Sequence, residues 1–94
     1  MSSNASTALG AYGPFTCNID QQAKVAFSEA FEHFVGVKYE PVSVASQVVS
    51  GTNYAYFCNA TPVYPGATTY PAMVTVYKPL DGQACITHIE RLPY

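Results

Sequence analysis

Apolar residues recur every three or four positions in the first third of the chain, a spacing typical of an amphipathic helix. Asn18 is a suitable N-cap, and Gln21 three residues later completes a capping box. Gly36 offers a C-terminal stop. We therefore predict one helix over Ile19–Val35. Its apolar stripe would consist of Ile19, Ala23, Phe27, Ala30, Phe31 and Phe34.

Beyond the predicted helix, the chain is rich in β-branched and aromatic residues and is interrupted by Gly and Pro, which is typical of β-strands. The predicted strands are Val37–Val48, Thr52–Ala60, Ala72–Lys78 and Gln83–Leu92. The segment Ala11–Phe15 is a candidate fifth strand. The pattern predicts an α+β fold in which one helix packs across a four- to five-stranded antiparallel sheet. We expect residues 1–94 to form a single domain, with 1–13 as a mobile N-terminal arm.

Two tight turns are predicted at the same end of this sheet. Ser-Gly-Thr-Asn at 50–53 and Pro-Leu-Asp-Gly at 79–82 carry turn chemistry. Alternate connections of an antiparallel meander lie at the same end, so the connection 61–71 belongs at the opposite end. The apolar residues of the two tips should therefore lie together, and clustered exposed apolar groups commonly mark a binding surface.

Composition narrows the classes of function. Hydrophobic residues make up 49% of the chain and charged residues 11%, which argues against intrinsic disorder. The net charge is −2, and the basic residues form no stripe along the sequence that could bind a nucleic-acid backbone. No apolar run approaches the ~20 residues of a membrane span, so we expect neither nucleic acid nor membrane as a partner. No signal peptide is visible, so we expect a cytoplasmic protein, with removal of a signal peptide as the alternative.

The three cysteines are expected to be reduced thiols. Cys58 and Cys85 fall on predicted strands that have another strand between them. Next-but-one strands are ~10 Å apart, which is too far for a disulfide. We therefore predict that no Cys58–Cys85 bond forms.

The sequence offers no constellation suited to catalysis. Cys85 and His88 are three positions apart on a predicted strand, so strand alternation predicts that they point to opposite faces. The acidic residues are scattered, and no Cys or His residues have the spacing of a metal site. We predict that the protein is not an enzyme and needs neither a metal nor a cofactor.

Two short motifs resemble one family of inhibitors. Gln47-Val48-Val49-Ser50-Gly51 resembles the Q-x-V-x-G hairpin of the cystatins, and "QVVSGTNY" is similar to the stefin (type 1 cystatin) string Q-V-V-A-G-T-N-Y. Further on, "VYKPLDGQ" resembles the stefin stretch V-F-K-S-L-P-G-Q. The similarity spans Ile19–Arg91, and one helix precedes the first hairpin as in stefins. The resemblance implies a cystatin-like fold.

The resemblance also implies a function. Stefins inhibit papain-like cysteine proteases, including those of the cathepsin type, reversibly and without covalent chemistry. Their N-terminal arm and two hairpins form an apolar wedge that fills the protease cleft. Carried over to this chain, the protease-binding residues would be Gln47, Val48, Val49, Ser50 and Gly51 in the first hairpin, Leu80, Asp81 and Gly82 in the second, and Gly10 in the arm.

The chain departs from the stefin pattern in three places. Asp81 stands where stefins have Pro, which places a charge in a normally apolar tip. Ala5 falls nearest the early glycine of stefins, so Gly10 or Gly13 would take its role only after a shift. The connection 61–71 is longer than its stefin counterpart.

Two alternatives remain open at this stage. The chain could be a non-inhibitory cystatin-fold module that serves protein–protein interaction or a structural role. We expect a monomer, with a hairpin-mediated domain-swapped dimer as the alternative.

Overall fold

A computed structural model describes residues 11–93 of the chain. Its elements in chain order are α1 Gln21–Ala30, β1 Val37–Val49, β2 Gly51–Pro62, β3 Tyr70–Lys78 and β4 Cys85–Arg91. The strands form one antiparallel sheet in the order β1-β2-β3-β4, and α1 packs against it. The predicted α+β fold, with one helix across an antiparallel sheet, is confirmed.

The helix begins at Gln21, and its N-cap is Asp20 rather than the predicted Asn18. The Asp20 Oδ1 atom accepts a hydrogen bond of 2.9 Å from the Ala23 backbone N–H, which satisfies an amide of the first turn that has no intrahelical partner. Asn18 lies two residues before the N-cap, and its own N–H donates to Thr16 Oγ1 at 3.1 Å. Asn and Asp are similarly good N-caps, so the sequence pattern could not choose between them.

The helix ends at Ala30, and the predicted end at Val35 was wrong. The chain continues in turns, in which the Phe34 N–H donates to the Phe31 carbonyl at 3.1 Å, an i→i−3 bond. Gly36, with φ +99°, then directs the chain into β1. The apolar spacing continues beyond the end of the helix because the Phe31 and Phe34 rings still pack together, with centroids 5.1 Å apart.

The core lies between α1 and the facing side of the sheet. Its fully buried residues include Ala26, Tyr56, Cys58, Val74 and Val76. Tyr56 links the two layers, because its hydroxyl donates to the Ala23 carbonyl at 2.7 Å and its ring packs edge-on against Phe27 at 4.8 Å. Burial raises the pKa of the Tyr56 hydroxyl. A buried Tyr thus keeps both its apolar contacts and a partner for its hydroxyl.

The connection at the far end of the sheet is shorter than the predicted 61–71. Thr61 and Pro62 still pair with β1, and Tyr70 already pairs with β2. The connection therefore spans 63–69. Strands β2 and β3 extend past their predicted ends because the Pro residues that suggested a break are accommodated within the pairing.

Strand β1 lies at an edge of the sheet and is irregular there. Its pairing with β2 shifts register between Pro41 and Ser43, since Pro has no N–H for a strand ladder and is confined to edges and bulges. On its outer side, Thr16 forms an isolated bridge with Val44. Within the described residues the predicted strand at Ala11–Phe15 is therefore absent, and the sheet has four strands.

Candidate functional site

The first hairpin joins β1 to β2 through Ser50 alone. Val49 pairs with Gly51, and Val48 pairs with Thr52. The Val48 side chain is 60% exposed and the Val49 side chain 37%. The predicted exposure of these two valines at a tip is confirmed.

A side-chain contact closes the strands just below this tip. Gln47 and Asn53 lie directly opposite each other, and Asn53 Nδ2 donates to Gln47 Oε1 at 2.7 Å. Cross-strand pairs of this kind stabilise a ladder modestly. Gln47 therefore supports the tip from the strand pair beneath it.

Gly51 is required at the tip for two separate reasons. Its φ is +103°, which side-chain-bearing residues rarely adopt. A Cβ atom at this position would also lie 2.5 Å from the Lys78 carbonyl oxygen and 3.0 Å from Pro79 Cα. These are backbone atoms that cannot move aside, so the first hairpin can rest against β3 only because residue 51 is glycine.

The second hairpin spans residues 79–84 between β3 and β4. Leu80 is 82% exposed and projects from the molecule. Asp81 beside it is also exposed, so its carboxylate lies in the same tip as an apolar side chain. Gly82 has φ +139° and closes the turn.

Polar contacts from α1 and β3 hold this second hairpin. Lys78 Nζ donates to the Gly82 carbonyl, and the Ala84 N–H donates to Glu29 Oε1 at 3.1 Å. The Lys78 ammonium also lies 3.9 Å from Glu29 Oε1. Both charged side chains are about one-third exposed, 35% and 31%, so water screens their attraction. The hydrogen bond to Ala84 is therefore the firmer link to the helix.

The two hairpins lie side by side. Thr52, at the start of β2, pairs with Lys78, at the end of β3. The turn after β1 and the turn after β3 therefore share one end of the sheet, as meander parity predicted. This end carries the exposed residues Val48, Val49 and Leu80, which we together call the tip surface.

The N-terminal segment runs toward the tip surface. The Gly13 N–H donates to the Ser46 carbonyl at 2.9 Å, and Thr16 exchanges hydrogen bonds of 2.9 Å with Val44. From Thr16 back to Gly13 the segment is therefore antiparallel to β1 and approaches the first hairpin. Gly10, the predicted arm residue, lies outside the described residues.

A cleft of about 390 Å³ separates the tip surface from the start of α1. Its lining includes Val25, Tyr54, Lys78 and Leu80. A second, more aromatic pocket of about 420 Å³ lies between the end of α1 and the start of β1. Its lining includes Phe27, Phe31, Phe34, Tyr39 and Val63. Neither cavity follows from the sequence pattern, because each is bounded by residues of different elements that only the folded chain brings together.

Cys85 and His88 do not face opposite sides of the sheet as predicted. Cys85 pairs with Tyr77 and His88 pairs with Thr75, and Thr75 and Tyr77 are two apart on β3, hence on one face. The register shift in β4 between these pairs places Cys85 and His88 on the same face. The spacing rule failed because a β-bulge adds one residue to the strand.

The described residues contain no arrangement suited to a metal. No group of three or more His, Cys, Asp or Glu side chains among residues 11–93 could hold a metal ion. Nor does any helix in this part of the chain combine the length and apolar character needed to cross a membrane.

The three cysteines are free thiols, and β3 separates Cys58 on β2 from Cys85 on β4, which is the strand separation on which the prediction of no Cys58–Cys85 bond rests. Cys17 and Cys85 are exposed, whereas Cys58 is buried. Burial raises the pKa of the Cys58 thiol to about 12. This thiol therefore stays protonated at neutral pH and serves as a small apolar core group.

Three residues that support the tip surface were missed by sequence analysis. Glu29 and Lys78 hold the second hairpin, and the Tyr77 hydroxyl donates to the Ser50 carbonyl in the first. Glu29 lies on the helix, far along the chain from its partner, so no local pattern marks it. Tyr77 and Lys78 lie within a predicted strand, and nothing in the local sequence distinguishes them from other strand residues.

Comparison of the chain with protein-family models, curated proteins and solved structures finds no match. The resemblance to the cystatins therefore stays a prediction from the two hairpin motifs, and the structure bears out only the α+β architecture that it implies.

Proposed function

We propose that this protein is a reversible, non-covalent inhibitor of papain-like cysteine proteases, including those of the cathepsin type. The tip surface would enter the active-site cleft and cover the catalytic cysteine without reacting with it, and the N-terminal arm would add to the contact. The observation that carries the proposal is the pair of apolar hairpins side by side at one end of the sheet, with Val48, Val49 and Leu80 exposed.

The energetics of the tip surface suit a binding role. Full burial of an exposed Val or Leu side chain contributes ~1.5–3 kcal/mol, and the gain left for a partner scales with what is still exposed, which is most for Leu80 and least for Val49. Gly51 keeps the first tip narrow and close to the second. The contact needs no metal or cofactor, because burial of surface alone supplies the free energy.

Asp81 opposes this gain. Its carboxylate would have to leave water when the second tip enters an apolar cleft, and an unpaired charge is costly to desolvate. In the stefin pattern the corresponding residue is Pro. We therefore expect the wild-type affinity to be limited by the second hairpin rather than by the first.

An inhibition assay against papain tests the proposal. Replacing Val49 with Ala should raise the inhibition constant at least several-fold, since a loss of ~1.4 kcal/mol of contact equals a factor of ten. The Tm should barely move, because surface substitutions usually change stability by less than ~0.5 kcal/mol. Val63→Ala is the matched control, since Val63 is 71% exposed at the opposite end and its loss should leave inhibition unchanged.

The Asp81→Pro variant provides a second, opposite test. It removes the charge and restores the stefin-like tip, so the inhibition constant should fall. One substitution should thus weaken the interface while the other strengthens it. The inhibitor proposal would be refuted if the wild-type protein at high micromolar concentration left papain and cathepsin-type proteases fully active and Asp81→Pro did not restore inhibition.

A protein–protein interaction module with a cystatin-like fold is the second candidate. The exposed charge of Asp81 in the second tip favours it, because a protein partner with a polar or basic surface would accommodate a carboxylate that an apolar protease cleft would not. In that case Asp81→Pro should weaken binding to the partner rather than strengthen it. The two candidates therefore predict opposite signs for the same substitution.

A further inference from the structure

Tyr77 reaches from β3 to the tip of the first hairpin. Its hydroxyl donates a hydrogen bond to the carbonyl of Ser50, the single residue that joins β1 to β2. In the sheet register Tyr77 lies opposite Asn53, so the ring runs along the last pairs of the first hairpin. The hydrogen bond from Tyr77 on β3 to Ser50 therefore holds the backbone at the outermost point of the first hairpin.

Gly51 leaves the space that this contact needs. A Cβ atom on residue 51 would lie 2.9 Å from Tyr77 Oη, closer than a side-chain carbon and an unbonded oxygen normally approach. Gly51 therefore leaves room for the Tyr77 hydroxyl as well as for the backbone of β3. A larger residue at position 51 would displace the Tyr77 hydroxyl from Ser50.

The neighbouring residue of β3 holds the other hairpin. Lys78 donates to the Gly82 carbonyl and lies 3.9 Å from Glu29 on α1. Successive strand residues point to opposite faces of a sheet. Tyr77 and Lys78 therefore secure the two tips from opposite faces of the same strand.

We infer that Tyr77 is a positioning residue, whose hydroxyl holds the first hairpin in one conformation so that Val48 and Val49 are presented ready to bind. The consequence for binding rests on the proposed function. An ordered tip loses less conformational freedom when it binds than a fluctuating tip does, so pre-organisation increases affinity without any new contact. Tyr77 itself need not touch the partner.

The Tyr77→Phe variant isolates the hydroxyl, because it keeps the ring and its packing. Backbone order parameters from ¹⁵N relaxation should be near ~0.85 at Ser50 and Gly51 in the wild type and fall toward ~0.6 in the variant. The inhibition constant against papain should rise by up to about five-fold, which corresponds to the whole net contribution of one intramolecular hydrogen bond to the order of the tip. Tyr64→Phe is the matched control, since Tyr64 is exposed in the 63–69 connection at the opposite end and should change neither quantity.

The two measurements separate the inference from the proposed function. Unchanged order parameters at Ser50 and Gly51 in Tyr77→Phe would overturn the positioning role, whatever the protease assay gives. Lower order parameters with an unchanged inhibition constant would also overturn it, provided that Val49→Ala weakens inhibition. If the wild-type protein does not inhibit at all, the proposed function fails, and the order parameters still decide whether Tyr77 fixes the tip.

Discussion

The two hairpins of the tip surface present apolar side chains by different means. The first is a minimal turn in which Gly51 lies against the backbone of β3, so steric fit to backbone atoms sets its position. The second spans residues 79–84 and is tied down by side chains, through Glu29 to Ala84 and through Lys78 to Gly82. The first tip depends on the absence of a side chain at Gly51, with the Tyr77 hydroxyl as an added contact to Ser50. The second tip depends on the side chains of Glu29 and Lys78.

This difference teaches where each hairpin is vulnerable. Backbone contacts cannot adjust, so the first hairpin should respond sharply to one added methyl group. Polar side-chain contacts at a partly exposed site are individually weak, so the second hairpin should respond to each loss only mildly. The second tip also carries Asp81, which makes it the less apolar half of the surface.

The largest expected effect is that of Gly51→Ala. A positive φ for a non-glycine residue costs ~1–3 kcal/mol, and the added Cβ would meet the Lys78 carbonyl oxygen at 2.5 Å. We expect the free energy of unfolding to fall by about 3 kcal/mol and the Tm by more than about 10 °C, measured by calorimetry.

Gly82→Ala is the matched control in the second hairpin. Its added Cβ would meet only the Pro79 side chain, at 3.3 Å, so we expect a loss of about 1 kcal/mol from backbone strain alone. Equal losses for the two variants would mean that the first hairpin is not defined by its contact with β3.

The next effect concerns binding rather than folding. Leu80→Ala should raise the inhibition constant against papain about tenfold, because removal of buried methylene groups costs ~0.8 kcal/mol each. The Tm should stay within the range of surface substitutions, as Leu80 is almost fully exposed in the free protein. Val35→Ala, at an exposed position of the opposite end, is the control. If Leu80→Ala leaves inhibition intact while Val49→Ala weakens it, only the first hairpin binds.

A smaller loss of stability is expected for Glu29→Ala. The substitution removes the acceptor of the Ala84 N–H and should lower the free energy of unfolding by about 1 kcal/mol, measured by urea denaturation. Glu29→Gln keeps an acceptor oxygen and loses only the charge, so it should cost less than half as much. Similar losses for Ala and Gln would show that the attraction to Lys78, rather than the hydrogen bond, carries the contact.

The smallest effect is expected for Asn53→Ala. It removes the donor to Gln47 Oε1, a part-buried side-chain contact that contributes about 0.5 kcal/mol. Urea denaturation of this variant beside Glu29→Ala compares side-chain support in the two hairpins directly. A loss larger than that of Glu29→Ala would contradict the view that the first hairpin depends mainly on its backbone.

Much of the fold could be predicted because the responsible signals are local. The periodicity of the Phe27 region gave a helix, the Gly and Pro positions separated the strands, and meander parity brought Ser50 and Leu80 to one end. The errors also have local causes. Asp20 replaced Asn18 as N-cap because both side chains can accept the same hydrogen bond. A bulge in β4 put His88 on the same face as Cys85, although strand alternation predicted opposite faces.

The sequence by itself determined that two turns with apolar tips would share one end of an antiparallel sheet, since alternation of strands and turn chemistry require no knowledge of distant contacts. Only the tertiary structure decided what holds those tips. Tyr77 donates a hydrogen bond to Ser50, and Glu29 accepts one from Ala84. These residues are far apart in the chain, and a sequence pattern does not predict such contacts. Such contacts depend on side-chain reach after the strands have paired and the helix has packed, which is why they emerge from the folded molecule and not from its pattern.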